Sequence, residues 1–416
     1  SINRRAFIGG GAAAVAAAGV ATLTGCTGDD AGQAGAPSAP PTDLSSWDNI
    51  RAQFAVDPGL AHFAAFVLAT HPAPVRAAID RWRAELDADV EKALADGRDH
   101  DEATRSAAGR YLGVGSHEIA LTDSTTMGLG LVYHGLDLQP GDHVLTTTHD
   151  FYSTHESLRL VAERSGAEVE KIELYDPPAS ASVDAMVARL EGALRRPTRV
   201  VALTWVHSST GVKLPVREIA DLLAAHNAER DPAQRILFCL DAVHGMGAED
   251  TGPVELGCDV FISGTHKWLF GPRGTGIIWA STDAGSAIAP IIPPFDAPNI
   301  GNWLFDRDEP SPFALGNTPG GYQAFEHRWA MADAFEFHLS MGRDRVAART
   351  RELATRLKDG LAELLGVHLV TPRDPALSSG LVCVDVDGRD PFDVVTALRD
   401  EHKVVASVTP YRTPYV

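Results

Sequence analysis

The chain alternates between short apolar runs and longer amphipathic or turn-rich stretches. Strand-like runs fall at 119–121, 143–146, 169–174, 200–204, 236–240, 260–263 and 276–280, separated mostly by helical segments or turns. The run Ile236-Leu237-Phe238-Cys239-Leu240 has no charged or amide position, so it suits a strand buried on both faces. That predicts a mostly parallel α/β sheet covered by helices, with ligands bound at the carboxyl ends of the strands. Ahead of it, 74–112 carries helical spacing (Val75, Ile79, Trp82, Leu86, Val90, Leu94) with charges on the opposite face. Residues 47–73 read as an arm of short helix and extended chain. Past Ala330 the pattern predicts one long amphipathic helix over 330–365, then strand, turn and helix to Val416. The expected organisation is therefore a large domain over 74–325 and a smaller C-terminal α+β domain over 326–416.

A chain of 416 residues, 44% hydrophobic and 22% charged, has an ordinary globular balance and can bury a large core. Its formal net charge of −19 would repel a phosphate backbone, and no cluster of Lys and Arg with interleaved aromatics overrides that field. Nucleic acid is excluded as an expected partner. Four cysteines cannot form a disulfide framework, and Cys239, Cys258 and Cys383 lie in or beside apolar strand-like runs. The short signatures of zinc peptidases, phosphate-binding nucleotide loops and serine hydrolases are missing.

The first residues have a different character. Arg4-Arg5 precedes a Gly/Ala/Val-rich stretch ending in Leu23-Thr24-Gly25-Cys26, the layout of an export signal over 1–26. The paired arginines point to the twin-arginine route. Leu-Thr-Gly-Cys resembles a bacterial lipobox, which implies a periplasmic or cell-surface protein attached to a membrane through a lipidated Cys26. Residues 27–46, rich in Gly, Ala, Pro, Ser and Asp, read as a flexible tether.

The stretch that demands a chemical explanation is Ser263-Gly264-Thr265-His266-Lys267-Trp268-Leu269-Phe270. It sets a lysine among bulky apolar residues just after a strand, where an unpaired ammonium would cost several kcal/mol, on the order of a buried ion's desolvation. Asp241 closes another apolar run, so the two would project from one edge of the sheet around one pocket. Taken singly, the Asp could cap a turn and the Lys could reach water.

With their flanks they are more specific. Asp241-Ala242-Val243-His244, Gly257-Cys258-Asp259-Val260-Phe261, Ser263 to Leu269 and Gly271-Pro272-Arg273-Gly274-Thr275-Gly276 together resemble the class V aminotransferase family of fold-type I pyridoxal-phosphate (PLP) enzymes. The resemblance runs from about Asp57 to Val416. It implies that Lys267 forms a Schiff base with PLP and that Asp241 faces the pyridine nitrogen, strengthening the ring as an electron sink. It also implies that Thr125 and Thr126, at the start of a helix, hold the cofactor's phosphate with His266 and, more weakly, Thr265. Phe151, or alternatively Tyr152, would stack on the ring. Ser208 and His244 would approach its phenolic oxygen. Thr318, in Gly316-Asn317-Thr318-Pro319, would reach the phosphate of a neighbouring subunit, which implies a homodimer with shared sites.

The bond that is cleaved is harder to read. A cysteine desulfurase needs a nucleophilic cysteine on a late mobile loop, whereas Cys383 sits in the strand pattern Leu381-Val382-Cys383-Val384-Asp385. Ser407-Val408-Thr409-Pro410-Tyr411 and Thr148-His149-Asp150-Phe151-Tyr152 resemble the isopenicillin-N epimerase-like branch. The expected activity is thus that of an epimerase, lyase or aminotransferase acting at the α-carbon of an amino acid or its derivative. Relatives usually continue beyond Tyr415-Val416 into an arginine that binds the substrate carboxylate. Either the sequence is truncated or another residue, with Arg412 the candidate, takes that role. Two competing readings are an exported lipoprotein that binds without catalysis and a metal enzyme using Asp241, His244 and His266.

Overall fold

In the computed structural model, residues 40–416 are described, and the export signal, Cys26 and the first part of the tether lie outside them. The strands are β1 (Ala61–His62), β2 (Ile119–Thr122), β3 (His143–Thr147), β4 (Glu168–Ile172), β5 (Thr198–Thr204), β6 (Leu237–Asp241), β7 (Val260–Gly264), β8 (Gly276–Ala280), β9 (Val367–Leu369), β10 (Val384–Val386) and β11 (Val404–Val405). The longer helices are α1 (Ala73–Ala88), α2 (Val90–Leu112), α3 (Thr125–Gly135), α4 (Tyr152–Ser165), α5 (Val183–Ala193), α6 (Val216–Ala228), α7 (Met331–Met341), α8 (Arg343–Ala362) and α9 (Pro391–His402).

Seven strands form the central sheet in the order β2-β8-β7-β6-β5-β3-β4. All pairs are parallel except those of β8, which runs antiparallel to both β2 and β7. This is the mostly parallel sheet expected from the apolar runs. Side chains along each strand divide by the period of two into separate cores on the two faces. Leu121, Leu145, Val201, Leu203, Phe238, Leu240, Phe261 and Ile277 pack on one face. Ala120, Val144, Val200, Ala202, Cys239, Val260, Ile262 and Ile278 pack on the other. A strand that must feed both cores cannot carry charge before its end, and β6 does not until Asp241.

Away from this sheet, β9 pairs antiparallel with β10, and β11 pairs parallel with β1 from the N-terminal arm. The arm also lies over the Lys267 loop, where the Ala69 amide donates to the His266 carbonyl at 2.9 Å.

Three local expectations are corrected. The helix expected over 330–365 is two helices, α7 and α8, separated at Gly342, whose φ of 85° and ψ of 117° lie outside helical space. Without a Cβ, glycine takes this conformation readily, so apolar periodicity continues across a break in the backbone. The helical spacing over 74–112 is likewise split at Asp89, whose carboxylate accepts from the Lys92 amide at 3.1 Å and starts α2. The tether does not extend to Ser46. Gln53 Nε2 donates to the Pro41 carbonyl at 2.7 Å, Arg345 donates to the Leu44 carbonyl at 2.8 Å, and the Arg345 guanidinium stacks on Trp47 at 4.6 Å. A polar, small-residue composition gave no sign that a distant arginine would collect these carbonyls.

Gly342→Ala is expected to lower stability by about 1–3 kcal/mol, since a Cβ is strained at that φ. Chemical denaturation of parent and variant measures it, and an unchanged midpoint would refute the assignment of the break.

Candidate active site

The site lies at the carboxyl ends of β5, β6 and β7. Asp241 ends β6 beside Thr204 of β5 and Ile262 of β7, and its side chain is buried. Its Oδ1 accepts from the Val243 amide at 3.0 Å. Burial pushes its pKa up to about 6, against the lowering effects of that hydrogen bond and of the Lys267 charge. The strand ends in a tight turn at Gly245, where a Cβ would stand 1.9 Å from the Trp205 ring. The turn therefore needs glycine to bring His244 back over the edge of the sheet.

Lys267 follows β7 by three residues and is half-buried. Burial lowers its pKa, with Asp241 opposing. Its Nζ lies 3.1 Å from His244 Nε2. The other ring nitrogen of His244 accepts from the Trp268 indole N–H at 3.2 Å. Burial, followed by the charges of Lys267 and His266, holds the His244 pKa well below the usual imidazole range. Phe66 of the N-terminal arm packs on His244 with ring centroids 6.1 Å apart.

A second group surrounds the start of α3. Ser124 caps the helix by accepting from the Met127 amide at 3.1 Å, which leaves the amides of Thr125 and Thr126 without intrahelical partners. Thr125 is buried, and its hydroxyl accepts from the Gly264 amide at 2.7 Å. A Cβ on Gly264 would stand 2.7 Å from His266 Cε1 and 3.1 Å from Thr125 Oγ1, so glycine keeps the space between those side chains open. His266 Nδ1 is buried without a hydrogen-bond partner. Two free helix N–H groups, a threonine hydroxyl and an unpaired imidazole nitrogen form a cradle for an anion. The donor set fits a phosphate, while the Lys267 amine and the Asp241 carboxyl fit an aldehyde-bearing pyridine.

The remaining sequence candidates divide. Ser208 Oγ is 2.8 Å from the Tyr411 hydroxyl, and Phe151 meets the Tyr411 ring edge-on at 5.9 Å. Those three therefore form a group, and Asp150 and Asp241 both act on the Tyr411 hydroxyl, whose pKa is raised chiefly by burial. Tyr152 is 69% exposed at the start of α4 and is not the inward aromatic of its pair. Thr126 is exposed, so its contribution is the amide rather than a buried hydroxyl. Thr265 turns its hydroxyl to Thr275 at 2.5 Å and closes its own loop instead of facing the cradle. Thr318 donates to the Ala314 carbonyl at 2.6 Å and accepts from the Leu121 amide at 3.0 Å, so its hydroxyl is occupied within its own chain. Arg412 is exposed next to the inward Tyr411 and makes no ion pair among the described residues, and the structure does not bring it to the site.

A supporting network leaves no mark in the local sequence pattern. Asp150 is buried and accepts from the Thr146 hydroxyl, the Thr147 amide and hydroxyl, and the Thr204 amide at 2.7–2.9 Å. Burial alone would raise its pKa, but the neighbouring His207, whose Nε2 lies 3.6 Å from Oδ1, and the hydrogen bonds from Thr147 and Thr204 hold it far below the usual carboxylate range. His207 in turn meets the Tyr175 hydroxyl at 2.8 Å, and Tyr175 stacks on His149 at 3.8 Å. This network fixes the loops that carry Phe151 and Ser208. Among the described residues no three His, Cys, Asp or Glu side chains converge into a metal-holding group.

Comparisons with known proteins bear on this geometry. The sequence is 25% identical over 344 residues to a probable cysteine desulfurase of Pyrococcus abyssi, covering 80% of each chain. It is 25% identical over 317 residues to isopenicillin N epimerase of Streptomyces clavuligerus, covering 73% of this chain and 75% of that one. Among solved structures, the cystine C-S lyase C-DES in complex with its reaction product cysteine persulfide superposes with a TM-score of 0.76 at 20% identity, over 86% of this chain and 92% of that one. Apo cysteine desulfurase of Thermococcus onnurineus NA1 superposes with a TM-score of 0.73 at 20% identity, over 87% of each chain. Residues 79–408 match the model of the aminotransferase class-V family, and with that match covering most of the chain, the protein belongs to that family.

Proposed function

We propose that the protein is a PLP-dependent enzyme that acts at the α-carbon of an amino acid or amino-acid derivative, with Lys267 as its reactive amine. The observation that carries this reading is that Lys267 and Asp241, on adjacent strand ends, share one desolvated edge, each shifting the other's ionisation. The Thr125, Gly264 and His266 cradle supports it. PLP supplies an electron sink conjugated to the substrate α-carbon. The chain supplies the rest. Asp241 would hold a proton on the ring nitrogen, the α3 amides and Thr125 would orient the phosphate, and Phe151, Ser208 and Tyr411 would wall the site. Lys267, depressed toward neutrality by burial, takes a proton from the α-carbon and can return it.

Delivery of a proton to the opposite face by a donor other than Lys267 would give epimerisation, and loss of a β-substituent after the same removal would give a lyase. We favour these two over persulfide chemistry. Cys239, Cys258 and Cys383 are all buried, and burial pushes the Cys383 thiol up to about 12, whereas a nucleophilic cysteine needs access and an accessible thiolate.

We also propose a homodimer. Ile291, Phe295, Trp303, Leu304, Phe305 and Tyr322 are 44–82% exposed within one segment, a concentration of apolar surface that monomers rarely present to water. Its second copy would bury it. Sedimentation velocity is expected to give a dimer of the 44.3 kDa chain, and Trp303→Ser with Phe305→Ser is expected to shift it toward monomer. A monomeric parent would end this reading.

For the reaction, PLP-loaded protein is incubated with single amino acids in deuterated water. α-Proton exchange alone indicates an epimerase, pyruvate with a released fragment indicates a lyase, and keto acid with aminated cofactor indicates a transferase. Lys267→Ala is expected to abolish exchange and the visible absorbance of the bound cofactor. A protein that neither binds PLP nor exchanges any substrate is a binder, not this enzyme.

Asp241 provides a test by stability. Its folded pKa, about 6, exceeds the unfolded 3.8, so in cofactor-free protein its contribution is fully present below pH 3.8 and is lost as pH rises through 6. Asp241→Asn is expected to stabilise the cofactor-free protein by about 3 kcal/mol at pH 8 and by little at pH 4. Urea unfolding at the two pH values measures this, and equal effects at both would refute the buried-acid assignment. The same substitution is expected to weaken retention of PLP.

A further inference from the structure

We infer that Trp268 is a positioning residue that fixes the tautomer of His244, so that Lys267 rests as a free amine before any ligand binds. The proposal deepens the reading of Lys267 as nucleophile and base, and depends on that reading only for its consequence.

An indole N–H is a donor only. Trp268 Nε1 points at His244 Nδ1 from 3.2 Å, so that nitrogen must present its lone pair. A neutral imidazole then carries its proton on Nε2, which lies 3.1 Å from Lys267 Nζ. An N–H aimed at an ammonium would set two donors against each other. The contact is a hydrogen bond only if Nζ offers a lone pair, which is the free amine. The other neutral tautomer would accept from an ammonium but would face the indole with a second N–H.

The groups around the pair act in the same direction or are outweighed. Asp241 favours the ammonium from the end of β6, and Asp150 acts on Asp241 from behind. Against this stands burial of Lys267 itself, and burial likewise keeps His244 from becoming an imidazolium. Phe66 closes over the ring and carries no charge. Trp268 itself is held by its flank: a Cβ on Gly380 would stand 2.5 Å from the indole ring. The indole is therefore held between His244 and the segment that precedes β10. The free amine is the form that can attack an aldehyde or take a carbon-bound proton, and it would be available without a carboxylate having to accept the proton.

The test uses cofactor-free protein, so it can fail or succeed whatever reaction the loaded enzyme performs. Competitive acetylation across pH, with Lys267 followed by peptide mass spectrometry, reports its free-amine fraction. Trp268→Phe keeps an aromatic ring against Gly380 and removes the donor. At pH 8 Lys267 labelling is expected to be about tenfold slower in Trp268→Phe than in the parent, one pKa unit upward. Profiles that superpose would overturn the proposal. Should the variant not fold, nitrogen-15 spectra of histidine-labelled parent decide, with His244 assigned by difference from His244→Gln. A protonated Nε2 with bare Nδ1 supports the relay, and a protonated Nδ1 overturns it.

Discussion

The structure is organised around a carboxyl and an amine removed from water on neighbouring strand ends. Burial acts on Asp241 and Lys267 with the same consequence, since each is driven toward its neutral form, and their mutual attraction offsets the penalty only in part. Such a pair is poor material for stability. It is good material for holding a ligand that carries a complementary ring nitrogen and an aldehyde, because the ligand makes the contacts that the free protein lacks.

The packing around that edge follows from keeping it open and shaped. Glycine at 264 leaves room between Thr125 and His266, and glycine at 245 lets the chain turn under Trp205 and return His244 to Lys267. The antiparallel β8 closes the sheet beside β7 with Gly276 opposite Gly264, so two residues without side chains face each other where the cradle begins. On the far side, Asp150 gathers the amide and hydroxyls of β3 and the Thr204 amide of β5, which holds the Phe151 and Ser208 loops, and its charge still acts on Asp241 and Tyr411.

Relatives named as desulfurases, epimerases and lyases share this framework. What distinguishes them must lie in the groups that meet the rest of the substrate. In this chain the described cysteines Cys239, Cys258 and Cys383 are buried, and Tyr411 is set between Phe151 and Ser208.

The sheet was legible in the sequence because each strand feeds two cores, which forces near-continuous apolar runs whose ends mark the ligand edge. Asp241 and Lys267 were legible for the same reason, as polar residues placed where such runs stop. Local patterns could not show which way a side chain turns once several elements meet. Tyr152 faces out while Phe151 faces Tyr411, Thr265 and Thr318 spend their hydroxyls on their own chain, and Arg412 points to solvent although its neighbour points inward. The break at Gly342 was hidden because periodicity records which residues are apolar and not the backbone angle between them. Trp268 read only as an apolar neighbour of Lys267, and its role as a donor to His244 arises because β6 and β7 pair side by side and bring two loops together. Sequence alone determined the strand order of chemistry along the chain. Tertiary structure decided which groups share a hydrogen bond, because that depends on contacts between residues far apart in sequence.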